Sequence, residues 1–140
     1  MAVLRKELAG PNGNAIIGVC GDLAFQAEES LLVAMLGDQE GAETCVRTKL
    51  KKMRIELGWD ESSALERILK ERIVATWLDL CFAEIVCNQW KGGSISEAKH
   101  KQHRIDRSHR RHLSAIKMLA TVRRMTVPLL VGIKAETSLA

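Results

Sequence analysis

The chain contains no tyrosine, only two phenylalanines and three tryptophans, and just two prolines in 140 residues. A module that stacks single-stranded bases needs exposed aromatic faces beside a basic groove. Trp77 falls in the middle of an apolar run, and Trp59 and Trp90 fall at helix ends, so that platform is missing. Scarce proline suits long uninterrupted helices. The four cysteines, Cys20, Cys45, Cys81 and Cys87, show no C-x-x-C spacing and lie within apolar helical patterns. They read as buried thiols of a reducing compartment rather than as disulfide or zinc ligands. No long hydrophobic run occurs. The most apolar stretch, 73–86, is interrupted by Asp79 and Glu84 and falls short of the ~20 residues a bilayer requires. Met1–Ala9 carries Arg5, Lys6 and Glu7 with no apolar core behind them, so no secretory leader is expected. These absences point to a cytoplasmic protein without a membrane role. No zinc-finger spacing, Gly-rich phosphate loop or recognition-helix pattern is found.

What is present is a strong charge asymmetry. Residues 94–125 hold nine Lys and Arg and all four His against two carboxylates, a formal charge of +7. Residues 1–90 hold ten basic and fourteen acidic side chains, a charge of −4. A basic arm on a mildly acidic body points to a polyanionic partner.

One helical domain spanning 1–140 accounts for the pattern. The first helix is expected over about 15–36, capped by Asn14 and ended by Gly37, with Ile16, Val19, Cys20, Leu23, Ala27, Leu31 and Ala34 on its inner face. The second is expected over about 39–57, capped by Asp38 and ended by Gly58, with Ala42, Cys45, Val46, Leu50, Met53 and Leu57 inside. Arg47, Lys51 and Arg54 mark its outer side. The third is expected over about 61–90 behind a capping box, Ser63-x-x-Glu66. Lys91-Gly92-Gly93 is a turn, and the fourth helix follows a second capping box, Ser94-x-x-Glu97, over about 94–126, stopping before Pro128. So short a connection predicts an antiparallel hairpin of the third and fourth helices. The fold class is all-α, a four-helix bundle-like domain built on that hairpin, with the first two helices covering its open face. The apolar tail 127–133 is expected to be a short extended piece or a self-association segment. A faint repeat relates Leu4–Ala9 to Met53–Gly58.

On a helical wheel of the fourth helix, Ala98, Ile105, Leu113, Ile116, Leu119 and Ala120 share one side, and Lys99, Arg107, Arg110, Arg111, Lys117 and Arg124 share the other. Guanidinium groups so arrayed can meet successive phosphates, each with two parallel donors. Counterion release then drives binding with little sequence information. The candidate phosphate contacts are Arg107, Arg110, Arg111, Lys117 and Arg124, with Lys99 and Arg104 of the same helix and Arg47, Lys51 and Arg54 of the second. The partner is DNA or RNA met through its backbone.

The competing chemistries are weaker. His100 and His103 fall on the outer side, while His109 and His112 read as core-edge imidazoles with Asp79 or Glu84 as candidate partners. Glu97-x-x-His100 matches half of a di-iron signature, but no second copy exists. Asp79 and Glu84 point about 140° apart on a helix. They read as partners for basic residues of the fourth helix that set the hairpin register. No catalytic constellation, metal site or cofactor is expected, because every histidine lies on one helix.

Three stretches, 21–28 (GDLAFQAE), 65–78 (LERILKERIVATWL) and 112–124 (HLSAIKMLATVRR), resemble segments of a group of small all-helical bacterial proteins. The resemblance implies one cohesive helical domain and carries no activity. The expectation is a non-enzymatic nucleic-acid-binding accessory protein, set within a phage, mobile-element or defence nucleoprotein complex. The alternative is a structural homo-oligomeric or adaptor subunit whose basic helix docks an acidic protein surface.

Overall fold

The computed structural model describes residues 9–11 and 22–137, with side-chain surroundings as far as residue 125. The described residues form four helices and no strand: α1 Leu23–Leu36, α2 Glu40–Glu56, α3 Ala64–Asn88 and α4 Ile95–Thr137. The all-α class and the long antiparallel hairpin, here α3 and α4, are as expected. The Asn14 cap, residues 15–21 of the first helix and residues 4–8 of the faint repeat lie outside the described residues.

Local chemistry sets each boundary. Asp22 caps α1 by accepting the Phe25 amide at 2.9 Å, and Gly37 ends it at φ 56°, a conformation that glycine adopts without a Cβ penalty. α2 starts behind Gln39 without a side-chain cap, so the expected Asp38 cap is not used. Ser63 and Glu66 form a full capping box at α3. Ser94 and Glu97 do the same at α4, with the Ser94 amide 3.0 Å from the Glu97 carboxylate and the Glu97 amide 3.2 Å from the Ser94 hydroxyl. The turn requires both glycines. Gly92 has φ 124°, and a Cβ at Gly93 would collide with the Glu97 carboxylate and stand 2.7 Å from the Trp90 ring.

α4 does not stop before Pro128. Its backbone stays helical to Thr137, giving 43 residues and a length of about 65 Å. Proline removes one rung of the hydrogen-bond ladder, but a long, already nucleated helix tolerates one missing rung. The expected extended tail at 127–133 is therefore replaced by helix.

α3 has two working faces. One carries Val74 and Leu78, which close a core with Leu32 of α1 and Leu50 of α2; Leu31, Met35, Leu36, Val46, Met53, Leu57 and Trp77 pack around it. Each fully buried leucine contributes about 2–3 kcal/mol, so this cluster dominates the stability of the body. The other face meets α4. There Ile73, Ala115 and Leu119 form a second cluster, joined by Leu57 and Leu69.

The α4 side of that seam is Ala98, Lys101, Ile105, Ser108, His112, Ala115, Leu119 and Val122, all buried or half-buried, with Thr121 half-buried beside it. The steps alternate three and four, a narrow coiled-coil period. This corrects the wheel. Leu113 is 51% exposed and Ile116 43%, and Ala120 is exposed too, whereas Leu119 is 4% exposed. A wide apolar stripe suits a helix packed on two neighbours. α4 packs along α3, and of α2 only the C-terminal end reaches it, where Leu57 joins the seam cluster and its carbonyl accepts from Arg123 at 2.7 Å. Among the described residues, the hairpin's open face is thus covered only at that end.

Among the described residues four polar side chains are buried, Glu28, Lys70, Thr76 and Ser108, where a hydrophobicity reading places none. Glu28 occupies the inner side of α1, beside Leu32, while Leu23, Ala27 and Ala34 point outward. The exchange is stable because Arg54 of α2 donates to Glu28 at 2.6 Å. Lys70 is fully buried and donates to the Gly58 carbonyl and the Ser62 hydroxyl, tying the α2–α3 turn to α3. Burial lowers its pKa. Ser108 is buried in the hairpin seam. Cys45, expected inside, is exposed, and Cys81 and Cys87 are half-buried. Cys45 points away because Val46, Leu50 and Met53 supply the face that α2 turns inward.

Candidate nucleic-acid interface

Nine of the ten cationic candidates fall into three groups, and Lys51 stands apart. Arg47 and Arg54 are consumed within the body. Arg47 forks onto Glu29 of α1, with one contact at 2.7 Å, and bonds Glu43 through Nε at 2.8 Å. Arg54 meets both carboxylate oxygens of Glu71 at 2.9 and 2.8 Å besides Glu28. Hydrogen bonding to these carboxylates raises both arginine pKa values further and lowers that of Glu29. These two arginines stitch α1, α2 and α3 together and offer no free fork to a phosphate. Lys51 is exposed on α2.

Arg104, Arg107 and Arg111 form the second group, with His100, along one flank of α4. The steps of four, three and four keep these residues on one side of the helix. They line a recess of about 250 Å³ with Asp79 of α3. The Asp79 Oδ2 accepts from the Ser108 hydroxyl at 2.8 Å and from Arg111 Nη2 at 2.7 Å. Arg104 Nη2 stands 4.0 Å from Oδ1, and its guanidinium lies 5.1 Å from the centre of the Phe82 ring. Arg107 makes no ion pair or hydrogen bond among the described residues. Asp79 is the least exposed of its ion-pair set, at 22% against 44% and 48% for Arg104 and Arg111.

Lys99, Arg110, Lys117 and Arg124 form the third group, on the side of α4 farthest from α3. All are exposed. None meets a carboxylate side chain among the described residues; Arg110 Nε reaches only the Asp106 carbonyl, at 3.3 Å. Arg110, Lys117 and Arg124 recur every seven residues, about 10.5 Å of helix rise. Among the described side chains, Asp106 is the one carboxylate on this face, and it accepts from Gln102 at 3.0 Å.

Asp79 meets the basic residues of α4 as expected. Glu84 does not: it is exposed and makes no pair with α4 among the described residues. Of the histidines, His112 alone sits in the seam, its Nδ1 3.1 Å from the Thr76 hydroxyl. Desolvation lowers its pKa. His109, expected beside it, is exposed, because the narrow seam leaves that position outside. Thr76 takes the role foreseen for Asp79 or Glu84. The register of the hairpin is set by Glu66–Arg123, Thr76–His112, Asp79–Ser108 and Trp90–Lys101.

The sequence placed His100 on the outer side with the arginines but not among the candidate contacts, and the structure sets it in the recess with Arg104 and Arg107. The signal was the regular stripe 100, 104, 107, 111, obscured because the wheel was divided into only two sides. Among the described residues, no group of three or more His, Cys, Asp or Glu is placed to hold a metal ion. No described helix is long and apolar enough to cross a membrane. The chain matches no family model, no curated protein and no solved structure in the comparisons made.

Proposed function

We infer that the protein binds nucleic acid non-enzymatically, through the phosphate backbone, using the outward face of α4. The observation that carries this reading is the division of labour among its cations. Arg47 and Arg54 are bound to carboxylates of the body, whereas Lys99, Arg110, Lys117 and Arg124 face solvent without a carboxylate partner among the described residues. Solvent-facing cations left unpaired on a rigid rod displace the counterions condensed on the nucleic-acid phosphates they meet. A spacing of about 10.5 Å matches roughly three base steps of duplex rise, so the face suits a duplex or a structured strand.

The test compares two variants that remove equal charge. Arg110→Gln/Lys117→Gln is expected to weaken binding to duplex DNA and duplex RNA about tenfold or more at low salt, with weaker salt dependence. Lys49→Gln/Lys52→Gln, on exposed α2 positions, is expected to change it much less. Equal losses from the two pairs would show net charge acting at a distance and would remove α4 as the interface.

A further inference from the structure

We propose that the recess formed by Asp79, His100, Arg104, Arg107 and Arg111 is a binding site for a terminal phosphate, a dianionic phosphomonoester such as the 5′ end of a strand. This deepens the backbone-binding reading and rests on it for the source of the phosphate.

The recess differs in construction from the outward face. Two of its three guanidiniums, those of Arg104 and Arg111, are held in place, and the third, Arg107, makes no ion pair or hydrogen bond among the described residues. Arg111 is pinned by Asp79 Oδ2 and by the Ser108 hydroxyl at 3.2 Å. Arg104 is laid over Phe82 and drawn towards Asp79 Oδ1. Asp79 is itself fixed by the buried Ser108. Donors whose orientation is already set lose less freedom when they meet a ligand. Lys99, Lys117 and Arg124 have no such anchors.

The charge balance selects the ligand. Three guanidiniums and one carboxylate leave +2 in the recess. A backbone phosphodiester carries one negative charge and two unesterified oxygens. A terminal phosphate carries a charge of about −1.5 to −2 and three strong acceptor oxygens. Only the latter balances the recess and engages Arg104, Arg107 and Arg111 together, with His100 supplying a further ring nitrogen. A volume of about 250 Å³ has room for a phosphate.

The experiment pairs two probes. The first is a short blunt duplex carrying either 5′-phosphate or 5′-hydroxyl ends. The second is inorganic phosphate, titrated against protein with ¹⁵N-labelled arginine side chains. The expected result is about tenfold tighter binding of the phosphorylated duplex, with phosphate shifting the Nε–H signals of Arg104, Arg107 and Arg111. Arg107→Gln should abolish the preference. Arg110→Gln/Lys117→Gln should weaken both duplexes alike and keep it. Duplex binding with equal affinity for the two ends overturns the proposal and leaves the backbone reading standing. No duplex binding, but phosphate shifts at the three arginines, supports the site with a small phosphomonoester as its ligand and overturns the nucleic-acid reading. Absence of both overturns both.

Discussion

At the scale of single residues, the protein depends on polar groups placed where apolar ones were expected. Glu28 is 7% exposed and is neutralised by Arg54. Arg54→Ala would leave that carboxylate buried and unpaired, and should cost about 2–3 kcal/mol in urea unfolding. His112 makes a second, pH-dependent case. Its pKa is lowered from 6.5 by desolvation in the seam, so the unfolded chain binds this proton more readily than the folded one. Its contribution is complete above pH 6.5 and falls as pH drops through that value towards the folded pKa. Urea midpoints measured on either side of pH 6.5 should show this loss, and His112→Gln should reduce it. The seam position of His112 was legible in the sequence as a core-edge imidazole, but its Thr76 partner and the burial of Glu28 were not. Burial of a charge is decided by a partner from another helix, and Arg54 precedes neither Glu28 nor Glu71 at a spacing that a single helix would reveal.

At the scale of the elements, the two capping boxes and the α3–α4 hairpin were readable, whereas the Asp22 cap and the inner face of α4 were not. Both capping boxes, at Ser63 and Ser94, are formed, as local rules require. The inner face of α4 was misread by assuming a wide apolar stripe. The seam instead advances by alternating threes and fours and accepts Ser108, His112 and Ala115, because α3 is its main neighbour. The difference is measurable. Leu119→Ala should cost about 2–4 kcal/mol, whereas Leu113→Ser should change stability by no more than about 0.5 kcal/mol. Similar losses would restore the wide stripe. The turn offers a second test at this scale: Gly92→Ala forces a side chain into φ 124° and should cost about 1–3 kcal/mol.

At the scale of the whole molecule, a basic α4 stands against a remainder whose residues 1–90 sum to −4. The charge asymmetry was plain in the sequence. Which cations stay available was not, since that depends on the tertiary pairing of Arg47, Arg54 and Arg111 with Glu29, Glu71 and Asp79. The most direct measurement is the affinity for duplex nucleic acid across a series of salt concentrations, for the wild type and for Lys99→Gln/Arg110→Gln/Lys117→Gln/Arg124→Gln. Four phosphate contacts predict that log affinity falls against log salt with a slope of about −3.6 for B-DNA in the wild type, and a much shallower one in the variant. A wild type that does not bind, or whose slope the four substitutions leave unchanged, would contradict a phosphate-binding role for the outward face of α4.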